Sequence, residues 1–141
     1  MFLAVETMEG YPSEAFDNVL KNNIRTAFFD DQFALPELHK TKDNIVSAGS
    51  IAGMIGIAQN APYGGTKCFM HTFTRGVAIE QASKRVRANC VCPGADDTVW
   101  AYHQTSDMFM EDVQANDFIN SHWQAGNSGR SGKRVFIFSF R

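Results

Sequence analysis

Two short apolar runs, residues 44–49 (Asn-Ile-Val-Ser-Ala-Gly) and residues 86–92 (Val-Arg-Ala-Asn-Cys-Val-Cys), bracket a long stretch from Tyr63 to about Ala82. In that stretch Phe69, Met70, Phe73, Val77 and Ala78 recur at helical spacing, whereas the two runs are short, apolar and bounded by turn residues, as strands are. A strand, a helix and a strand in this order form a crossover unit, which places the two strands side by side and parallel with a right-handed connection. The pattern therefore predicts residues 45–50 and 86–92 as adjacent parallel strands joined by the Tyr63 helix. The expected fold class is α/β, a parallel sheet with flanking helices.

Chemistry gathers at the end of the first run. Ser50 follows it directly, on the carboxyl edge where open α/β sheets bind ligands. Tyr63 and Lys67 are four residues apart and so share one helix face, one turn apart. A fixed cation and hydrogen bonds to the charged form bring a tyrosine down from its reference value of about 10, towards use as a general acid or base. Lys67 is accordingly expected to lower the Tyr63 pKa.

Ser50, with Tyr63-Gly-Gly-Thr-Lys67 beginning thirteen positions on, resembles the catalytic signature of the short-chain dehydrogenases/reductases. Three further elements extend the resemblance over roughly residues 13–98. Asn23 looks like the helix asparagine that completes the family's tetrad, residues 86–94 look like the strand and Pro93-Gly94 turn beside the nicotinamide, and Thr98 falls where the family often has a threonine. The resemblance implies a partial Rossmann-like, doubly wound sheet and NAD(P)-dependent interconversion of a small-molecule alcohol and a ketone or aldehyde. It implies Ser50, Tyr63, Lys67 and Asn23 as catalytic residues, and Tyr63, Lys67, Pro93, Gly94 and Thr98 as contacts to NAD or NADP. In such a family the outer faces of the two long helices commonly meet a second subunit, so a homo-oligomer through them is expected.

At 141 residues the chain is long enough for one domain with a sizeable core. Its formal net charge of −2 and ordinary 44% hydrophobic content give no bulk-charge attraction to nucleic acid or a membrane surface. No run reaches the roughly 20 apolar residues of a membrane span, and residues 1–5 are too short and uncharged for a signal peptide. A cytoplasmic location is the default expectation. The three cysteines, Cys68, Cys90 and Cys92, read as reduced core thiols. Cys90-x-Cys92 has no matching second pair, so no zinc site is expected.

Taken in order, residues 1–10 show no clear period. A first helix is expected from Ser13 as N-cap, with Glu14 and Asp17 in its first turn. Phe16, Val19, Leu20, Ile24, Ala27 and Phe28 form its apolar face, which runs until Pro36. Residues 38–43 read as a loop. The glycines of residues 49–56 lack the spacing of a dinucleotide fingerprint and are expected to let the chain turn sharply beside Ser50, before a loop holding Asn60 and Pro62.

After Thr98 the resemblance thins. Asp96 and Asp97 stand where the family has an apolar and a variable residue, and Trp100, Tyr102, His103, Met108, Phe109 and Met110 fall at its substrate-binding segment. Residues 126–132 read as a flexible linker, and residues 135–138 as a last strand or an apolar tail. The Gly-rich strand-turn-helix that grips the dinucleotide in this family is absent from the 141 residues. The expected organisation is thus a catalytic half over residues 1–98 and a divergent substrate-loop region with an irregular tail over 99–141. The competing expectation is a catalytically incompetent relative that only dimerises or binds.

Overall fold

The computed structural model describes residue 4, residues 6–94 and the backbone of residues 135–139. Helix α1 spans Ser13–Leu20. Pro12, not Ser13, holds the N-cap position, and Glu14 alone is acidic in the first turn. Proline suits a helix entrance because its fixed φ is already extended or helical and it has no N–H to leave unpaired.

The helix does not run on uniformly. Lys21–Arg25 forms a single π turn, and α2 follows from Thr26 to Thr41. The loop expected at residues 38–43 is therefore mostly helix, which passes through Pro36 and ends at Lys42 in a left-handed C-cap (φ 58°). The physical reason lies in the core. Leu35 and Leu38, on either side of Pro36, both pack against Ile45, Val77, Ala78 and Ala88. Stopping at the proline would pull Leu38 off that cluster.

Strand β1, Asn44–Ala48, pairs in parallel with β2, Arg87–Pro93, in a register that sets Ile45 beside Ala88 and Ser47 beside Cys90. The expected adjacency and direction of the two strands are both found. Residues 135–139 form β3, antiparallel to β2, which completes a sheet ordered β1-β2-β3. Of the strand and the apolar tail expected for residues 135–138, the strand is found.

Between β1 and β2 the chain runs through a short 3-10 turn, Ile51–Gly53, and helix α3, Ala61–Gln81. Pro62, expected in a loop, lies in the first turn of α3, where its missing N–H costs no helix bond. The buried face of α3 changes character along its length. Towards Gln81 it carries Val77 and Ala78 into the apolar core, and towards β1's end it carries Tyr63, Thr66, Lys67 and His71. Phe69 and Phe73 stack with ring centroids 5.1 Å apart, and Phe28 reaches Phe73 at 6.2 Å. Cys68, expected in the core, is exposed, one step round the helix from the buried Lys67.

β1 is buried on one face only. Ile45 and Ser47 are covered, while Val46 between them is 62% exposed. The other face stays open because, among the described residues, helices cover a single face of the sheet. Among the described residues no helix is long and apolar enough to cross a membrane.

Candidate active site

Each expected catalytic residue owes its place to a different element. Ser50 stands just beyond β1 as the N-cap of the 3-10 turn, with its Oγ accepting the Ala52 N–H at 3.2 Å. That bond occupies a lone pair and leaves the hydroxyl proton available to the Tyr63 phenol, whose pKa the Ser50 side chain lowers. Tyr63, in the first turn of α3, is 6% exposed. Lys67, one turn on, is 4% exposed, and its Nζ donates to the Ala48 carbonyl oxygen at 2.7 Å. The ammonium lies 5.6 Å from the centre of the Tyr63 ring.

Asn23 enters from the π turn. Its Nδ2 donates to Thr66 Oγ1 at 3.2 Å, and the Thr66 hydroxyl donates in turn to the Tyr63 carbonyl at 2.7 Å. The wide turn of a π-helix is what directs this side chain inward, and such turns recur at functional sites. Asn23 and Lys67 both line a cleft of about 290 Å³ that also takes in Thr26, Asp31, Ser47 and Ala48. Serine, tyrosine, lysine and asparagine are therefore drawn to one end of the sheet. Pro93 closes β2 and Gly94 follows it, whereas Thr98, Asp96, Asp97, Trp100, Tyr102, His103, Met108, Phe109, Met110 and residues 126–132 lie outside the described residues.

The electrostatics differ from the expectation in one respect. Burial pushes the Tyr63 phenol above its usual range, and the Ser50 hydrogen bond pulls it part of the way back. The Lys67 ammonium, 5.6 Å from the ring centre, does not outweigh that burial. Burial also holds Lys67 below the ordinary lysine value, against the opposing pull of Cys90 and Cys92. In the cleft, burial and then the neighbouring Asp30 raise the Asp31 carboxyl.

Ser50 leads directly into the 3-10 turn, and Gly53 and Gly64 also serve close approach. A Cβ on Gly53 would stand 2.5 Å from Lys67 C and from Cys68 N, and one on Gly64 would stand 2.7 Å from the Ala52 carbonyl oxygen. Backbone meets backbone there, which locks the serine turn onto the helix that carries Tyr63 and Lys67.

Sequence reasoning missed His71. It lies one turn beyond Lys67 on the same buried face, and its Nε2 is 3.0 Å from Cys92 Sγ, with Cys90 Sγ 3.8 Å from Cys92 Sγ. The four-residue step from Lys67 was the available signal. Burial, followed by Arg75, lowers the His71 pKa, and burial with Cys90 pushes the Cys92 thiol up to about 12.

The fit to a nicotinamide dinucleotide is one-sided. Among the described residues the Ala48 carbonyl is the acceptor for Lys67 Nζ, so two of the ammonium's three N–H groups remain for a ligand's hydroxyls, as a ribose offers. Nothing comparable among the described residues meets the pyrophosphate. Among the described residues β1 leads into a 3-10 turn and β2 into Pro93-Gly94, and neither continues as a Gly-rich turn opening a helix.

Comparison with known proteins gives a consistent picture. A family model described as short chain dehydrogenase matches residues 3–108. L-fucose dehydrogenase of Bos taurus is 32% identical over 82 residues, covering 58% of this chain and 30% of that protein. D-beta-hydroxybutyrate dehydrogenase of Cupriavidus necator is 35% identical over 92 residues, covering 64% and 35%. The chain thus spans about a third of the length of these relatives. The solved structure of an NAD+-bound xylitol dehydrogenase superposes with a TM-score of 0.73 over 86% of this chain and 51% of that one, at 24% identity, a likeness of fold.

Proposed function

This chain belongs to the short-chain dehydrogenase family, and from that premise we propose that it carries the proton-transfer half of an NAD(P)-dependent oxidoreductase acting between an alcohol and a ketone or aldehyde. One observation carries the reading: the Ser50 side chain, at the carboxyl end of β1, acts on the Tyr63 phenol and lowers its pKa, with Lys67 one helical turn further along α3.

The roles follow from the chemistry of each group. The Tyr63 phenol exchanges a proton with the substrate oxygen, and the Ser50 hydroxyl donates a hydrogen bond to that same oxygen as charge develops on it. Lys67 binds sugar hydroxyls through the N–H groups that Ala48 does not use, and its positive charge favours release of the phenol's proton. Asn23, tied to Thr66 and facing the cleft that Lys67 also lines, holds a water through which the proton passes to solvent. NAD or NADP, when bound, supplies the hydride chemistry. Ser50, Tyr63, Lys67, Pro93, Gly94 and Thr98 are the residues assigned to the nicotinamide end. The grip on the pyrophosphate is assigned to a Gly-rich half beyond these residues.

Joining this chain behind the Gly-rich half of a related dehydrogenase tests the reading. The chimera should oxidise NADH or NADPH with small ketones, and Tyr63→Phe should abolish it. A folded, cofactor-binding chimera that turns over equally well without the phenol would refute the assignment.

A second reading, a module that dimerises without catalysis, draws support from large apolar side chains left open on the helices. Phe33 is 75% and Ile79 79% exposed, and Phe16 and Phe28 are each 42% exposed. Light scattering of wild type and Phe33→Glu measures it: a dimer lost in the variant supports the helix faces as the contact.

A further inference from the structure

His71, Cys90 and Cys92 form a buried cluster that the proton-transfer scheme does not use. Both cysteines are 0% exposed and His71 is 8% exposed. Their donor atoms, Nε2 and two Sγ, all lie within 4.8 Å of one another. Gly49 gives an independent measure of how they are aimed. A Cβ built on it would stand 2.7 Å from His71 Nε2 and 2.8 Å from each sulfur, so all three donors face the same side of Gly49 and leave no room there for a side chain.

We propose that His71, Cys90 and Cys92 bind a thiophilic metal ion, zinc(II) by preference, in a three-ligand site behind the Ser50 turn. The sulfur spacing already suits it. Two thiolates about 2.3 Å from a zinc ion at a tetrahedral angle stand roughly 3.8 Å apart, and the two sulfurs here are 3.8 Å apart. A triangle with sides of 3.0 and 3.8 Å and a third no longer than 4.8 Å has its centre roughly 2 Å from each corner, close to zinc–nitrogen and zinc–sulfur bond lengths. The contact between Cys92 and His71 is the shorter side because a shared proton closes it, and the metal takes that proton's place.

Charge favours zinc. Two thiolates and a neutral imidazole cancel its two positive charges, so the buried site carries no net charge. Loading breaks two S–H bonds, forms two Zn–S bonds and one Zn–N bond, and releases two protons with no change in oxidation state. A disulfide is the less suitable product. Residues two apart on a strand are separated by about 6.6 Å between Cα atoms, at the upper limit for a disulfide.

The test uses the full 141-residue chain, reduced, stripped of metal by chelator and kept under anaerobic conditions. Titration with cobalt(II) should produce a thiolate-to-cobalt charge-transfer band that saturates at one equivalent. Zinc(II) should displace it mole for mole, and direct zinc loading should release two protons per zinc. Cys68→Ser should leave the signal intact. Cys90→Ser and Cys92→Ser should each weaken binding by at least about a hundredfold, since each removes one of three ligands. Gly49→Ala, which sets a methyl against the donors, should also suppress it. The proposal falls if the wild-type chain shows no charge-transfer band at saturating cobalt, if the band survives in the Cys90→Ser, Cys92→Ser double variant, or if the two thiols oxidise to a disulfide without taking up metal.

Discussion

The Lys67 ammonium donates to the Ala48 carbonyl oxygen at 2.7 Å, which ties the helix that supplies the site's cation to the last residue of β1. This bond is made at a cost, because burial disfavours the charged form and holds the lysine below its usual 10.5. Lys67→Met removes both effects together. Loss of the bond leaves a carbonyl without its partner, a penalty of about 1–3 kcal/mol at neutral pH. The pH dependence separates the two. A lysine with a depressed folded-state pKa contributes stability that is present above its unfolded value and lost as pH falls through its folded value. The stability difference between wild type and Lys67→Met, read by urea unfolding at neutral and alkaline pH, should therefore widen in favour of the wild type as pH approaches 10.5. A difference independent of pH would show that the lysine is not held down by burial.

Tyr63 gives a spectroscopic prediction. The chain has three tyrosines, and subtracting the alkaline absorbance titration of Tyr63→Phe from that of wild type isolates one of them. That component should titrate above the ordinary phenol range, since burial dominates its environment. In Ser50→Ala it should move higher still, because the hydrogen bond that opposes burial is gone. A component unmoved by Ser50→Ala would mean that the hydroxyl does not act on the phenol.

Gly53 is the hinge between serine and helix. Gly53→Ala drives a methyl to 2.5 Å from the backbone of Lys67 and Cys68, atoms that cannot rotate away. The expected loss is about 1–3 kcal/mol, with the Ser50 turn displaced from α3. Gly56→Ala is the control. Its Cβ would meet nothing within 4 Å, so chemical denaturation should find it within about 0.5 kcal/mol of wild type.

What the sequence made legible was whatever follows from spacing along one element. Tyr63 and Lys67 share a face because four residues make about one turn, and the two strands are parallel because a long helical crossover lies between them. Features that depend on contacts between elements stayed hidden. Pro36 read as a helix end, and only the packing of Leu35 and Leu38 on the core explains why α2 continues. The π turn at Lys21–Arg25 has no compositional mark, yet it aims Asn23 at Thr66. His71 escaped because its partners, Cys90 and Cys92, lie on a strand about twenty residues away, and only the sheet brings them under α3. The raised tyrosine was misjudged for a related reason: spacing reveals a neighbour but not how deeply the pair is buried.

The last prediction concerns the 141-residue chain assayed by itself. Proton transfer contributes about a hundred- to ten-thousand-fold to rate, but only once the hydride is in place, and full positioning is worth on the order of 7 to 11 kcal/mol. Among the described residues the site offers a buried ammonium and a phenol for the nicotinamide end, while no Gly-rich turn at a helix start meets the two phosphates. Calorimetric titration with NADH and with NADPH should accordingly detect no binding in the micromolar range. Any residual NADH oxidation with a small ketone should be the same in wild type and Tyr63→Phe, because proton transfer adds to rate only where the hydride is already positioned. Micromolar binding, or turnover that disappears with the phenol, would show that these residues hold the whole dinucleotide through contacts other than a Gly-rich turn.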